Sequence, residues 1–279
     1  MTDNRNAVAQ HYSCHDLLAA IEAGLAQMGK STARVTIDDL APVDEFHIGG
    51  RQASDDFLGQ LSLAAGSSVL DVGCGLGGPA RYTAQRFGAE VTGIDLTADY
   101  IDTGTVLCGW VGLADRVTLR HGSALDLPFE AGTFDAGYMI HVGMNIADKG
   151  RLFAEVARVL KPGGRFGVYD VMQVGPEALK FPVPWAEGPE TSATAGPEAY
   201  RTALETAGFT VTAERNRGAF ALEFFAEMTA KLAAAGGPPP LGLHLLMGES
   251  RAQKVANMVE NISAGRIAPV EMIAQKGQG

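Results

Sequence analysis

The residues best equipped for chemistry are in the run Val69-Leu70-Asp71-Val72-Gly73-Cys74-Gly75-Leu76-Gly77-Gly78. An apolar stretch runs straight into a glycine-rich turn. Glycines there reach backbone angles closed to other residues, and without side chains they let a ligand lie against the chain. Asp95 follows Gly75 by 20 residues, at the end of a second apolar run. From that place a carboxylate can accept both hydrogen bonds of a ribose diol. Glycine turn and acid together imply an adenosine-bearing ligand.

Gly73, Gly75 and Gly78 also satisfy the dinucleotide fingerprint G-x-G-x-x-G, so spacing alone leaves a nicotinamide cofactor open. Two features point away from it. Asp71, two residues before the first glycine, suits an ammonium group and would repel a pyrophosphate. The turn is also preceded by a long helical segment, whereas nicotinamide folds commonly open on that strand.

The elements that must hold these residues follow from periodicity. Leu17, Leu18, Ile21, Leu25 and Met28 share one helical face, and Ala53, Phe57, Leu58 and Leu61 mark a second helix after a polar, irregular stretch through Pro42. From residue 67 short β-rich runs alternate with helical ones, the pattern of βαβ units and a mostly parallel sheet. Strands are expected near 69–72, 91–95, 117–120, 134–141 and 165–172, with helices over 78–87, 98–113 and 148–160. A Pro-rich loop, 174–196, leads to a helix over 197–207 and a strand over 209–214. An Ala-rich helix to residue 235, a Gly-Pro breaker and a helix over 250–263 form an insertion before a last strand at 269–275. The expected fold is therefore α/β: a Rossmann-like, doubly wound sheet with its last strand antiparallel, an N-terminal helical cap (1–64) and one large domain (65–279). In that domain residues 67–172 form the cofactor core and 174–268 the substrate side.

Further motifs occur in order: Gly122-Ser123-Ala124-Leu125-Asp126-Leu127-Pro128-Phe129, then Phe134-Asp135, then Arg158-Val159-Leu160-Lys161-Pro162-Gly163-Gly164. With the glycine turn they span residues 57–172 and resemble the class I S-adenosylmethionine-dependent methyltransferases. The resemblance implies S-adenosylmethionine as cofactor. Its methionine end would lie at Asp71, Gly73, Cys74 and Gly75, its ribose at Asp95, and its adenine near Ser123 and Ala124, with Leu96 and Ile140 also on the cofactor side. Ser123 stands where relatives often carry Asp, which leaves the adenine amino contact to a backbone group or to Asp126. Residues 44–51 and the late insertion are similar to small-molecule enzymes of the sarcosine/dimethylglycine and quinone-biosynthesis kind.

Transfer from a sulfonium needs alignment, exclusion of water and a deprotonated nucleophile. The acceptor is expected beyond the carboxyl ends of the fourth and fifth strands. His141 is the first candidate for general base, since imidazole titrates near neutrality; the alternative is a hydrogen-bonded structural histidine. His47 is the second, and Arg51 could close on substrate from the cap. Asn145 and Asp170 follow the two strands, Tyr12 could form a lid, and Trp185 could wall a cation by cation–π attraction. Met247, Met258 and Met272 are expected as core filler.

The chain of 279 residues carries a formal charge of −10, against a nucleic-acid partner, whose binding requires Lys and Arg to neutralise phosphates. Cys14, Cys74 and Cys108 lack metal-ligand spacing and are expected as thiols in a reducing compartment, with no metal. No secretory pattern opens the sequence, and no apolar run reaches the roughly 18 residues that span a bilayer. The expectation is a cytoplasmic enzyme, as monomer or homodimer, without stable membrane association. It acts on a small molecule, an amine or amino-acid-like acceptor ahead of a quinol or phenol. An oxidoreductase and a non-catalytic adenosyl-binding protein are the alternatives.

Overall fold

A computed structural model describes residues 11–12, 16–248 and 250–278. The opening residues, read as lacking a secretory pattern, and Cys14 lie outside these. Seven strands form one sheet in the order β3-β2-β1-β4-β5-β7-β6. The strands are β1 (Ser68–Val72), β2 (Glu90–Asp95), β3 (Val117–His121), β4 (Phe134–Ile140), β5 (Leu160–Gln173), β6 (Phe209–Asn216) and β7 (Ile267–Lys276). β1 to β5 pair in parallel, and β7 runs antiparallel to both its neighbours. This is the doubly wound sheet expected from the sequence, with its last strand reversed.

Alternation along each central strand assigns residues to the two faces. Leu70, Met139 and Val168 pack with Leu152, Phe153 and Tyr200, beneath α6 (Lys149–Val159) and α7 (Pro197–Thr206). Val69, Tyr138 and Tyr169 face the other way, under α3 (Gly50–Leu58) and α4 (Gly78–Phe87). Both faces are covered, which is why these strands read as continuous apolar runs. α3 lies directly on β5 because Gly167 leaves room: a Cβ there would sit 2.6 Å from Phe57 Cζ. Burying a Phe such as Phe57 contributes roughly 1.5–3 kcal/mol. It also fixes where residues 45–51, just ahead of α3, meet the sheet edge.

α1 (Leu17–Gln27) and α3 occupy the places periodicity assigned, but the stretch between them is not irregular. α2 (Ile37–Asp44) starts at a capping box in which Thr36 and Asp39 satisfy each other's backbone N–H. Pro42 falls in its last turn, so the helix stops soon after rather than failing to form. β5 begins at Leu160, not at residue 165, because Leu160 pairs with Phe134 and the Pro-Gly-Gly segment is taken up as a register shift before Arg165 meets Ala136. α5 (Ala98–Trp110) lies beside β2 and β3.

The insertion between β6 and β7 comprises α8 (Gly218–Ala235), the short α9 (His244–Met247) and α10 (Arg251–Ser263). One face of α10 fastens the Pro-rich loop. Asn261 accepts from Lys180 N and donates to Lys180 O, each at 2.9 Å, Asn257 donates to Pro182 O at 2.9 Å, and Lys254 pairs with Glu187 at 2.6 Å. Their spacing of three and four residues puts all three on one helical stripe. Asn261→Ala removes the part-buried hydrogen bonds to Lys180 N and Lys180 O. It should lower stability by about 1–3 kcal/mol in urea unfolding, while the surface change Lys231→Ala should alter it by less than about 0.5 kcal/mol.

Candidate active site

The strand order reverses between β1 and β4, and a cavity of about 640 Å³ lies beside the turns leaving those strands. That is within the usual range for small-molecule sites. Gly73 adopts φ 73°, and a Cβ on it would sit 2.3 Å from Val142 Cγ2, so the turns after β1 and β4 can meet only with glycine here. Gly73 N and Cys74 N both donate to Ile94 O, tying the glycine turn to β2.

Asp95 is organised by the backbone. Its Oδ2 accepts from Gly75 N at 2.8 Å and its Oδ1 from Thr97 N at 2.9 Å. Burial nevertheless raises its pKa. Asp71, buried in β1 just before the turn, receives only the Tyr138 hydroxyl, at 3.2 Å, among described side chains. Burial, reinforced by the charges of Asp95 and Glu45, pushes its pKa well up. Such a carboxylate gains a great deal from an arriving cation. Leu96, Ser123, Ala124 and Ile140 line the same end of the cavity. Ser123 Oγ accepts from Leu125 N and keeps its own proton to donate, and Asp126 points to solvent toward Arg151 and does not line the cavity, leaving Ser123 and backbone groups for any base there.

The other end is formed by the cap, the segment after β4, the Pro-rich loop and the insertion. Tyr12, His47, His141, Asn145 and Trp185 all line it. His141 sits at φ 56°, a conformation that turns its ring back toward the cap. Ile48 N donates to Nε2 at 3.4 Å, which leaves the proton on Nδ1, 3.3 Å from Tyr169 O. Burial lowers its pKa to about 3, with the neighbouring His47 adding to the effect. His47 donates from Nε2 to Gly50 O at 3.0 Å, and burial lowers its pKa to about 4. The expectation of a ring titrating near neutrality is therefore corrected: both imidazoles are neutral and very weakly basic because they are desolvated. Trp185 is a buried wall rather than part of a loose loop, its indole N–H held by Ser192 Oγ at 3.0 Å.

Two expected substrate residues lie elsewhere. Arg51 does not line the cavity; its guanidinium is bonded to Glu45, Asp38 and Ile37 O and stacks on Tyr82. Asp170 is fully buried behind the wall, accepting from the Tyr200 hydroxyl at 2.7 Å, and burial raises its pKa to about 6. Met247 and Met258 line the cavity, whereas Met272 is core, as expected. Sequence reasoning missed Phe46, Ile48, Phe225 and Met228. The last two fall three residues apart on α8, a signal diluted by the alanines around them.

Residues 70–168 match the family described as a methyltransferase domain. This segment is thus similar to methyltransferase domains. The match agrees with the methyltransferase resemblance, one of the readings that the glycines alone left open. Methyltransferase GfsG of Streptomyces halstedii is 32% identical over 137 residues, 49% of each chain. A probable chloroplastic tocopherol O-methyltransferase of Oryza sativa subsp. japonica is 42% identical over 98 residues, 35% of this chain and 27% of that one. The chain thus spans about half the length, or less, of these curated relatives. Among solved structures, the geranyl diphosphate C-methyltransferase of Streptomyces coelicolor A3(2), crystallised with S-adenosyl-L-homocysteine, superposes with a TM-score of 0.70 at 19% identity. That likeness of fold covers 99% of this chain and 98% of the other.

The histidine pair makes a prediction about pH. In the unfolded chain each imidazole takes up a proton near its ordinary pKa of 6.5, while the folded forms resist until about 4 and about 3. The unfolded state therefore binds more protons across that window, and stability falls as pH drops below about 6.5. The melting temperature of His47→Gln/His141→Gln should fall less between pH 7 and pH 5 than that of the parent; equal slopes would show that the rings are not buried neutral.

Proposed function

We propose that this protein is an S-adenosylmethionine-dependent methyltransferase whose acceptor is a small, largely apolar molecule. The observation that carries this is a single cavity with a glycine- and carboxylate-lined end opening into an apolar chamber. The first end fits the cofactor. Gly73 is a position where a side chain has no room, Asp71 is a buried acid with no cation beside it among the described residues, and Asp95 is held ready by two backbone N–H groups. On this reading Asp71 holds the methionine ammonium and Asp95 the ribose. Leu96, Ser123, Ala124 and Ile140 enclose the adenine end, and Cys74 and Gly75 supply the close backbone. When bound, S-adenosylmethionine supplies an electrophilic methyl group on a positive sulfur, open to in-line displacement.

The protein's own part is alignment and exclusion of water. Phe46, Ile48, Met144, Phe225, Met228 and Met258 surround the acceptor half. An amino-acid zwitterion would have to shed its hydration there. This moves the preferred acceptor from an amine to a phenol, quinol or prenyl-type compound. His47 and His141, neutral at pH 7, shape the junction and are poor bases, so the acceptor must be nucleophilic without strong deprotonation by imidazole. We retain a cap of residues 1–64 on a body of 65–279 as the working division. The buried free thiols of Cys74 and Cys108 suit a reducing cytoplasm, and the charge of −10 argues for a small-molecule partner over nucleic acid. Among the described residues, no helix is long and apolar enough to cross a membrane.

Calorimetry with S-adenosylmethionine and with NADH tests the cofactor. The sulfonium compound alone should bind, and Asp95→Ala should weaken it by at least about tenfold, the loss of one or two charge-assisted hydrogen bonds. Production of S-adenosylhomocysteine across phenols, quinols, prenyl compounds and amines tests the acceptor. Turnover confined to hydrophilic amines would reverse the preference, and binding without turnover of any class would favour a non-catalytic role.

A further inference from the structure

The apolar chamber contains a polar pair that the cofactor reading does not use. Asn145, in the short turn after β4, directs its Nδ2 toward the Tyr12 hydroxyl at 3.5 Å, too far for a strong hydrogen bond. Its Oδ1 is buried and has no partner among the described residues. Tyr12 Oη, as the acceptor in that long contact, keeps its own proton, for which the described residues offer no acceptor. The pair thus presents one free acceptor and one free donor side by side.

Their placement is constrained from several sides. The Tyr12 ring makes an edge contact with Phe46 at 6.3 Å and tilts against Tyr100 at 6.2 Å between centroids. Phe46 belongs to the acceptor half and Tyr100 to the cofactor end, so Tyr12 stands at their junction. Asn145 is fixed from behind, because Lys149 Nζ donates to Gly143 O at 2.9 Å and to Ile146 O at 2.5 Å, on either side of it. A buried amide oxygen left unpaired among apolar walls is costly, and a hydroxyl brought by a ligand would satisfy it while accepting from Tyr12.

We propose that Tyr12 and Asn145 are specificity-determining residues that bind an oxygen function, a hydroxyl foremost, on the otherwise apolar acceptor. The proposal rests on the methyltransferase reading, and it adds the chemical group by which the acceptor is recognised.

The test uses full-length protein saturated with S-adenosylhomocysteine and calorimetric titration with matched probes, 2-naphthol against 2-methylnaphthalene and 1-indanol against indane. The hydroxyl member of each pair should bind the parent protein about tenfold more tightly, the worth of one buried hydrogen bond. In Tyr12→Phe, which removes one atom, and in Asn145→Leu the advantage should shrink to about twofold or less, with the S-adenosylhomocysteine affinity unchanged. Equal binding of hydroxyl and hydrocarbon by the parent overturns the proposal. So does a preference that survives in Tyr12→Phe, or a matching loss of S-adenosylhomocysteine affinity, which would assign the pair to the cofactor. If none of the four probes binds, the apolar-acceptor reading itself fails, and this proposal with it.

Discussion

Two backbone turns, one leaving β1 and one leaving β4, have to touch, and the site is organised around that contact. Gly73 makes it possible, since Val142 occupies the space a side chain would need. Because the turns close on each other, the crevice at the reversal of strand order becomes a covered cavity. Asp71 ends up beneath it, Asp95 at its side and Asn145 just beyond. The parallel sheet supplies the edge; the missing side chain lets it close.

Charge is distributed unevenly along this cavity. The glycine-turn end gathers two carboxylates, Asp71 buried and Asp95 half-buried, whose pKa values desolvation pushes upward. Nearby, Asp44 is paired with Arg81 at 2.6 Å in full burial, so that this cation is already spent within the protein. A positively charged ligand is what the arrangement lacks. At the junction the two imidazoles are kept neutral, and beyond them the lining is mainly apolar, with Tyr12, Asn145 and Arg251 among its polar members.

Much of this was legible in the sequence, for identifiable reasons. The strands of the core are buried on both faces, so their apolar runs stand out, and the Gly-rich turn and Asp95 depend on neighbours close in the chain. Legibility was lost where side chains from distant segments decide the outcome. Pro42 suggested a break, but the capping box at Thr36 carries α2 past it. His141 suggested a titrating base, but its environment comes from Ile48 and Tyr169, 93 and 28 residues away. Arg51 suggested a substrate contact, yet its guanidinium is consumed by Glu45 and Asp38. Spacing records which residues share an element, and it does not record which charges are already paired.

The fastening of the Pro-rich loop to α10 has a consequence for how this protein can change. Trp185, Met258 and the helix carrying Phe225 all lie beyond residue 168, where the domain match ends. They are joined to the sheet through β7 and to each other through the amides of Asn257 and Asn261, independently of the glycine turn. On the proposed reading, part of the acceptor wall thus sits on segments supported separately from the glycine turn, while Tyr12, Phe46, Ile48 and Asn145 belong to the earlier chain. On that reading, remodelling the later part would retune part of the acceptor wall while leaving the glycine-turn end intact.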